Sequence, residues 1–166
     1  MTPRSRESAV VWTIGHSNTD IDAFLRLLSA HGIGCVVDVR AAPYSRHVPH
    51  FSQKPLSHAL EAGGVMYVYL GDALGGRIQT KDGTRPRTYS EAEKDPSFLS
   101  GIDTLLKIAA ERKTAVMCAE KDPNRCHRRH LIAAYLDGIG VEVRHILADT
   151  TTVTEGELLG LFGRRP

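Results

Sequence analysis

The sequence predicts an α/β fold, a three-layer sandwich with a mainly parallel central sheet and helices on both faces. Short apolar runs recur near residues 9–14, 35–40, 65–70, 115–118 and 142–146, as expected of strands buried on both faces. Amphipathic helical spacing lies between them. Residues 114–146 read as one complete strand, loop, helix and strand, and such a unit joins parallel strands. The 166 residues are expected to form a single domain, with 1–7 and 163–166 as loose tails.

In chain order, the first strand ends at Gly15-His16-Ser17. Thr19 is placed to cap the next helix, with Asp20 and Asp22 in its first turn. Ile21, Phe24, Leu25 and Leu28 then follow at i, i+3, i+4 and i+7, and Gly32 supplies the stop. A second buried strand over 35–39 ends in Asp38-Val39-Arg40. Residues 41–55 form a loop carrying Tyr44 and Arg46, and Pro55 opens a short helix through Leu60. The third strand covers 65–70. Residues 71–94 lack useful periodicity and carry Arg77, Lys81, Arg85 and Arg87 among glycines. They read as a long structureless loop, of the kind that closes over a site. Asp95-Pro96 opens a helix with Phe98, Leu99, Ile102, Leu105 and Leu106 on one face. After the 114–146 unit, Thr154 and Glu157 form a capping box for a terminal helix through Phe162.

Composition sets bounds on function. The formal net charge is only +2, which gives no strong reason to invoke nucleic acid or a membrane surface. No apolar run reaches the roughly 20 residues that a membrane span needs, so no membrane partner is expected. The amino end lacks a signal-peptide core, and three cysteines argue against a disulfide framework. Reduced thiols and the cytoplasm are therefore expected.

Chemically able residues gather where the predicted strands end. At a helix start near Cys126, free N–H groups and the dipole favour an anion and lower a thiol pKa. Arg128 falls in line with Leu131, Ile132 and Tyr135, so its phase directs it along the buried face at the crevice edge. Its neighbour Arg129 is expected to matter neither to fold nor to ligand, and His130 to face solvent. The candidate catalytic residues are His16, Asp38, Glu120, Cys126 and His127. The candidate ligand-binding residues are Ser17, Arg40, Arg46, Tyr69, Arg77 and Arg128. Cys118 reads first as a small buried hydrophobe and second as a thiol at the site; Cys35, mid-strand, reads as core. His16, Cys118, Cys126 and His127 are acceptable zinc ligands. No C-x-x-C exists, however, and Arg125, Arg128 and Arg129 would repel a cation, so no metal is assigned.

The chain resembles the DUF488 family, small prokaryotic proteins named for unknown function. The resemblance lies in Thr-Ile-Gly-His-Ser at 13–17, Asp-Val-Arg at 38–40 and Pro-Tyr-Ser-Arg at 43–46. It continues through Phe51, Tyr-Leu-Gly at 69–71, Leu-Gly-Gly at 74–76, Met-Cys-Ala-Glu at 117–120 and Cys-His-Arg at 126–128. It implies a single α/β domain and no established reaction. A weaker likeness to rhodanese-type sulfurtransferases would make Cys118 the matching thiol. Glu120 and Asp122 follow it, where that likeness implies a compact anion-cradling loop.

The arginines favour an anionic ligand, and the histidines and carboxylates supply acid–base partners. The leading expectation is an enzyme that hydrolyses, or transfers a group from, a phosphate-bearing small molecule or nucleic acid. A non-catalytic nucleotide or nucleic-acid binding module is the second reading. A cysteine-dependent sulfurtransferase or metal-binding protein is the third.

Overall fold

The computed structural model describes residues 9–162. The loose tails expected at 1–7 and 163–166 lie outside the described residues. Strand β1 (Val10–Gly15) leads into α1 (Ile21–Ala30), β2 (Cys35–Asp38), α2 (Gln53–Ala62) and β3 (Met66–Tyr69). A short helix α3 (Gly71–Leu74), a hairpin of β4 (Arg77–Thr80) and β5 (Gly83–Pro86), and α4 (Tyr89–Ala92) follow. The long α5 (Pro96–Glu111) precedes β6 (Thr114–Cys118). A 3-10 turn (Pro123–Arg125) and a π-helical segment (Arg128–Ala133) run into α6 (Ala134–Gly138). The last elements are β7 (Glu142–Ile146), β8 (Thr152–Thr154) and α7 (Glu155–Phe162).

Six strands among the described residues form the central sheet, in the order β3-β2-β6-β1-β7-β8. The first five are mutually parallel, and β8 pairs antiparallel with the edge of β7. Side chains alternate along each strand, so each strand feeds two cores. Trp12, Ile14 and Met117 meet Phe24, Leu28, Phe51, Leu56 and Leu60 on the face of α1 and α2. Val11, Val37 and Val116 meet Phe98, Ile102, Leu105, Leu131 and Ile132 on the opposite face. This is the predicted sandwich.

The topology also places the site. β1 and β2 hand the chain to helices on one face, while β6, lying between them, hands it to the other. Neighbouring strands that diverge in this way open a crevice at their carboxyl ends. His16, Arg40 and Glu120 all stand just past such ends.

The structure departs from the sequence expectations at four places. Asp20 rather than Thr19 caps α1, its carboxylate accepting from Ala23 N at 2.7 Å. Helix α2 begins at Gln53, one turn's part before Pro55. Residues 71–94 are not structureless. Their hairpin is largely exposed, so it has no apolar alternation to betray it. Its backbone ladder, the Thr88–Glu91 capping box and an Arg85–Glu91 ion pair at 2.7 Å hold it instead. Strand β8, only three residues long, also gave no sequence signal. The Thr154–Glu157 box does cap α7: Glu157 N donates to Thr154 Oγ1 at 3.1 Å, and Thr154 N to Glu157 Oε2 at 2.9 Å. Among the described residues no helix is long and apolar enough to cross a membrane.

Candidate functional site

A cavity of about 710 Å³ opens at the crevice, within the roughly 300–1,000 Å³ typical of small-molecule sites. Its lining includes His16, Arg40, Tyr44, Arg77, Arg87, Cys118, Glu120, Arg125, Cys126, His127 and His130. Four of these are arginines and only Glu120 is a carboxylate. Arg40 and Arg87 are paired with Asp38 and Asp95 outside the lining, at 2.8 and 3.2 Å, so Arg77 and Arg125 carry the cavity's cationic excess.

Arg40 is fixed from below. Its Nε and Nη2 donate to the two oxygens of Asp38 at 2.9 and 2.8 Å. Asp38 also accepts from the Tyr67 hydroxyl at 2.6 Å and from Arg40 N at 3.1 Å. The carboxylate is fully buried and does not line the cavity; it aims the arginine. The Tyr69 hydroxyl likewise donates to Arg40 O at 2.9 Å. Arg40 Nη1 donates to His16 Nε2 at 3.3 Å, while His16 Nδ1 donates to Ser17 O at 2.7 Å. Burial, helped by the Arg40 charge, lowers the His16 pKa to about 4. His16 is thus a neutral ring of fixed tautomer, stacked on Phe51 at 4.4 Å between centroids.

Cys126 and His127 follow the 3-10 turn. His127 Nε2 donates to Val39 O at 2.9 Å. Its Nδ1, left without a proton in the neutral ring, faces Cys126 Sγ at 3.7 Å. Burial lowers the His127 pKa and keeps the ring neutral, and the Val39 carbonyl at Nε2 sets the tautomer. Gly76 makes the packing possible, because a Cβ there would lie 2.7 Å from His127 Cγ. The base of the hairpin therefore rests on the imidazole. A hydrogen bond from the Cys118 thiol, with the Arg128 guanidinium and backbone N–H, brings the Cys126 pKa down to about 7. The same thiol–thiol bond, then burial, holds Cys118 well above the ordinary range. Cys35, buried in β2, is pushed up to about 11. Alkylation of Cys126 is accordingly expected to show a midpoint near pH 7 with Cys35 inert, read by peptide mass across a pH series.

Arg128 does not line the cavity. Its phase was readable, but its destination was not: it is fully buried. Its Nε donates to Thr13 Oγ1 at 3.1 Å, Nη1 to Cys118 Sγ at 3.0 Å and to Glu120 O, and Nη2 to Lys121 O at 3.0 Å. Arg129, expected to be idle, is 3% exposed and pairs with Glu155 at 3.3 Å. His130 faces the cavity wall rather than bulk solvent, its Nε2 donating to Asn124 O. Ser17 turns to a second cavity beside α1, and Arg46 is exposed away from the first.

Sequence reading missed a buried polar layer behind the thiols. Thr13 donates to His145 Nδ1 at 2.7 Å, and His145 Nε2 donates to Glu155 Oε2 at 2.8 Å. It also missed Arg87 and Arg125 as lining residues. The basic count near the 126 segment was the one available signal for Arg125. No group of three or more His, Cys, Asp or Glu among the described residues is placed to hold a metal ion.

Fold and cavity together define an α/β protein with a cationic, thiol-bearing crevice at the carboxyl edge of its sheet. The model of the family described as Domain of unknown function DUF488 matches residues 20–136, and the chain belongs to that family. No curated protein and no solved structure matches it.

Proposed function

We propose that the protein is an enzyme that binds a phosphate-bearing substrate of nucleotide size in this cavity and hydrolyses it or transfers a group from it. The observation that supports this reading is the Cys126–His127 pair inside a cavity lined by four arginines and one carboxylate. Cys126 is the nucleophile. Its proton passes to His127 Nδ1, its sulfur attacks the electrophilic centre, and His127 returns the proton to the leaving group. Water or an acceptor then takes the group from sulfur. Arg40, Arg77, Arg87 and Arg125 receive the anionic part. Arg125 is exposed, and beyond its backbone bond to Asp122 O its guanidinium has no hydrogen-bond or ion-pair partner among the described residues, which suits it to a ligand.

A panel of nucleotides and short oligonucleotides, scored for both melting shift and turnover, tests the reading. Cys126→Ser is expected to keep the melting shift and to lose turnover by roughly a thousandfold or more. Arg125→Ala is expected to weaken binding roughly ten- to a hundredfold, since a hydrogen bond to a charged group is worth about 1.5–3 kcal/mol. Melting shifts without turnover of any compound would replace the enzyme by a nucleotide-binding module.

A further inference from the structure

Two thiols share the cavity, and a nucleophile of the kind just described needs only one. Cys118 ends β6 and Cys126 follows the 3-10 turn, so the intervening loop folds back and returns the chain to its starting point. Both cysteines line the same cavity. Both sulfurs contact one residue: Arg128 Nη1 donates to Cys118 Sγ at 3.0 Å and Arg128 N to Cys126 Sγ at 3.5 Å. Cys118 Sγ donates to Glu120 O at 3.7 Å and so keeps its proton, while Cys126 Sγ is left to accept from the Arg128 N–H. Cys35 lies in the core of β2 and lines neither cavity. The pair is therefore isolated from the remaining thiol.

We propose that Cys118 and Cys126 form a redox-active dithiol that a peroxide converts to an intramolecular disulfide. The Cys126 thiolate attacks the peroxide O–O bond. A sulfur–oxygen bond forms, the O–O bond breaks, and hydroxide leaves as Cys126 becomes a sulfenic acid. The Cys118 sulfur then attacks the Cys126 sulfur. The S–S bond forms, and hydroxide leaves and takes up the Cys118 proton as water. The first hydroxide takes up the proton that Cys126 gave up on becoming a thiolate, so both sulfurs are oxidised by one electron each and one hydrogen peroxide is reduced to two waters. The roles are set by position: Cys126 sits beside His127 Nδ1 and the Arg128 N–H, which favour the thiolate that attacks. Cys118 remains a thiol, ready to resolve the sulfenic acid. The inference needs the thiol pair alone and does not rest on the identity of the substrate. Where the proposed enzyme activity exists, the disulfide removes its nucleophile, and a dithiol reductant restores it.

The full chain is treated with hydrogen peroxide, unfolded in denaturant and blocked with an alkylating agent, digested without reductant and read by mass. The expected product is a Cys118–Cys126 cross-linked peptide lighter by two hydrogens, reversed by dithiothreitol, with Cys35 recovered alkylated. Cys118→Ala is expected to leave Cys126 as sulfenic or higher acids, trapped by dimedone, with no internal cross-link. A wild-type protein that instead accumulates over-oxidised Cys126, cross-links through Cys35, or stays fully reduced would overturn the proposal. The wild-type peptide map is decisive even if the variant fails to fold. It can also fail while the nucleotide panel succeeds, which separates the two readings.

Discussion

Arg128→Lys is expected to lower the melting temperature substantially and to raise the Cys126 thiol pKa. The guanidinium holds Thr13 Oγ1, Cys118 Sγ and the carbonyls of Glu120 and Lys121 with no exposure to solvent. A lysine offers one compact ammonium in place of a planar fork. It leaves buried acceptors unpaired, each at about 1–3 kcal/mol. The sum is roughly 3–5 kcal/mol, or on the order of 10 °C for a chain of this size. Calorimetry reads the first effect and the pH series of Cys126 alkylation the second. An unchanged melting temperature would mean that the arginine serves a ligand and not the fold. The sequence-based expectation was the reverse, an intact fold with weakened binding.

Gly15→Ala is the second severe change. An added Cβ would stand 1.9 Å from Glu120 O, 2.6 Å from Glu120 C and 2.8 Å from Lys121 Cα. These are backbone atoms, and the Glu120 and Lys121 carbonyls are pinned from the other side by Arg128. Neither side can yield cheaply, so the cost is expected to reach roughly 3 kcal/mol or more. The loop bearing Glu120 must also shift, and Cys118 with it. Gly160→Ala in α7 is the control, because nothing lies within 4 Å of a Cβ there. It is expected to be neutral or stabilising by up to about 1 kcal/mol. Denaturant unfolding of both variants measures the contrast. Equal stability of the two would show that the β1 end is not so tightly packed.

Much of the fold was legible because its signals are local. Ile21, Phe24, Leu25 and Leu28 mark a helix whatever lies elsewhere, and the Val36-Val37 run marks a buried strand. The hairpin was invisible because its ladder is made of backbone groups and its side chains face water. The site was legible as a set of chain segments, since His16, Arg40, Glu120, Cys126 and His127 do meet at one cavity. What each does there was not legible. Arg128 looked like a ligand clamp until Thr13, far earlier in the chain, and two loop carbonyls supplied its partners. Arg129 looked idle because Glu155 lies on an element packed against it from beyond β7. The tautomer of His127 depends on a carbonyl of another strand end, Val39, which no local spacing encodes.

The strand order has a consequence for how the protein assembles. β1 emerges first, yet its sheet neighbours are β6 and β7, with Thr13 registered against Val116 and His145. On the ribosome it has no strand to pair with until most of the chain has been made. β2 and β3 pair with each other early, joined through a loop with a 3-10 turn (Pro49–Phe51) and α2. The centre of the sheet therefore closes late, and it closes by capturing its oldest strand between its newest ones. Loop closure over such separations slows folding. During that interval the apolar run from Val10 to Ile14 is an unpaired edge, the species a chaperone would meet.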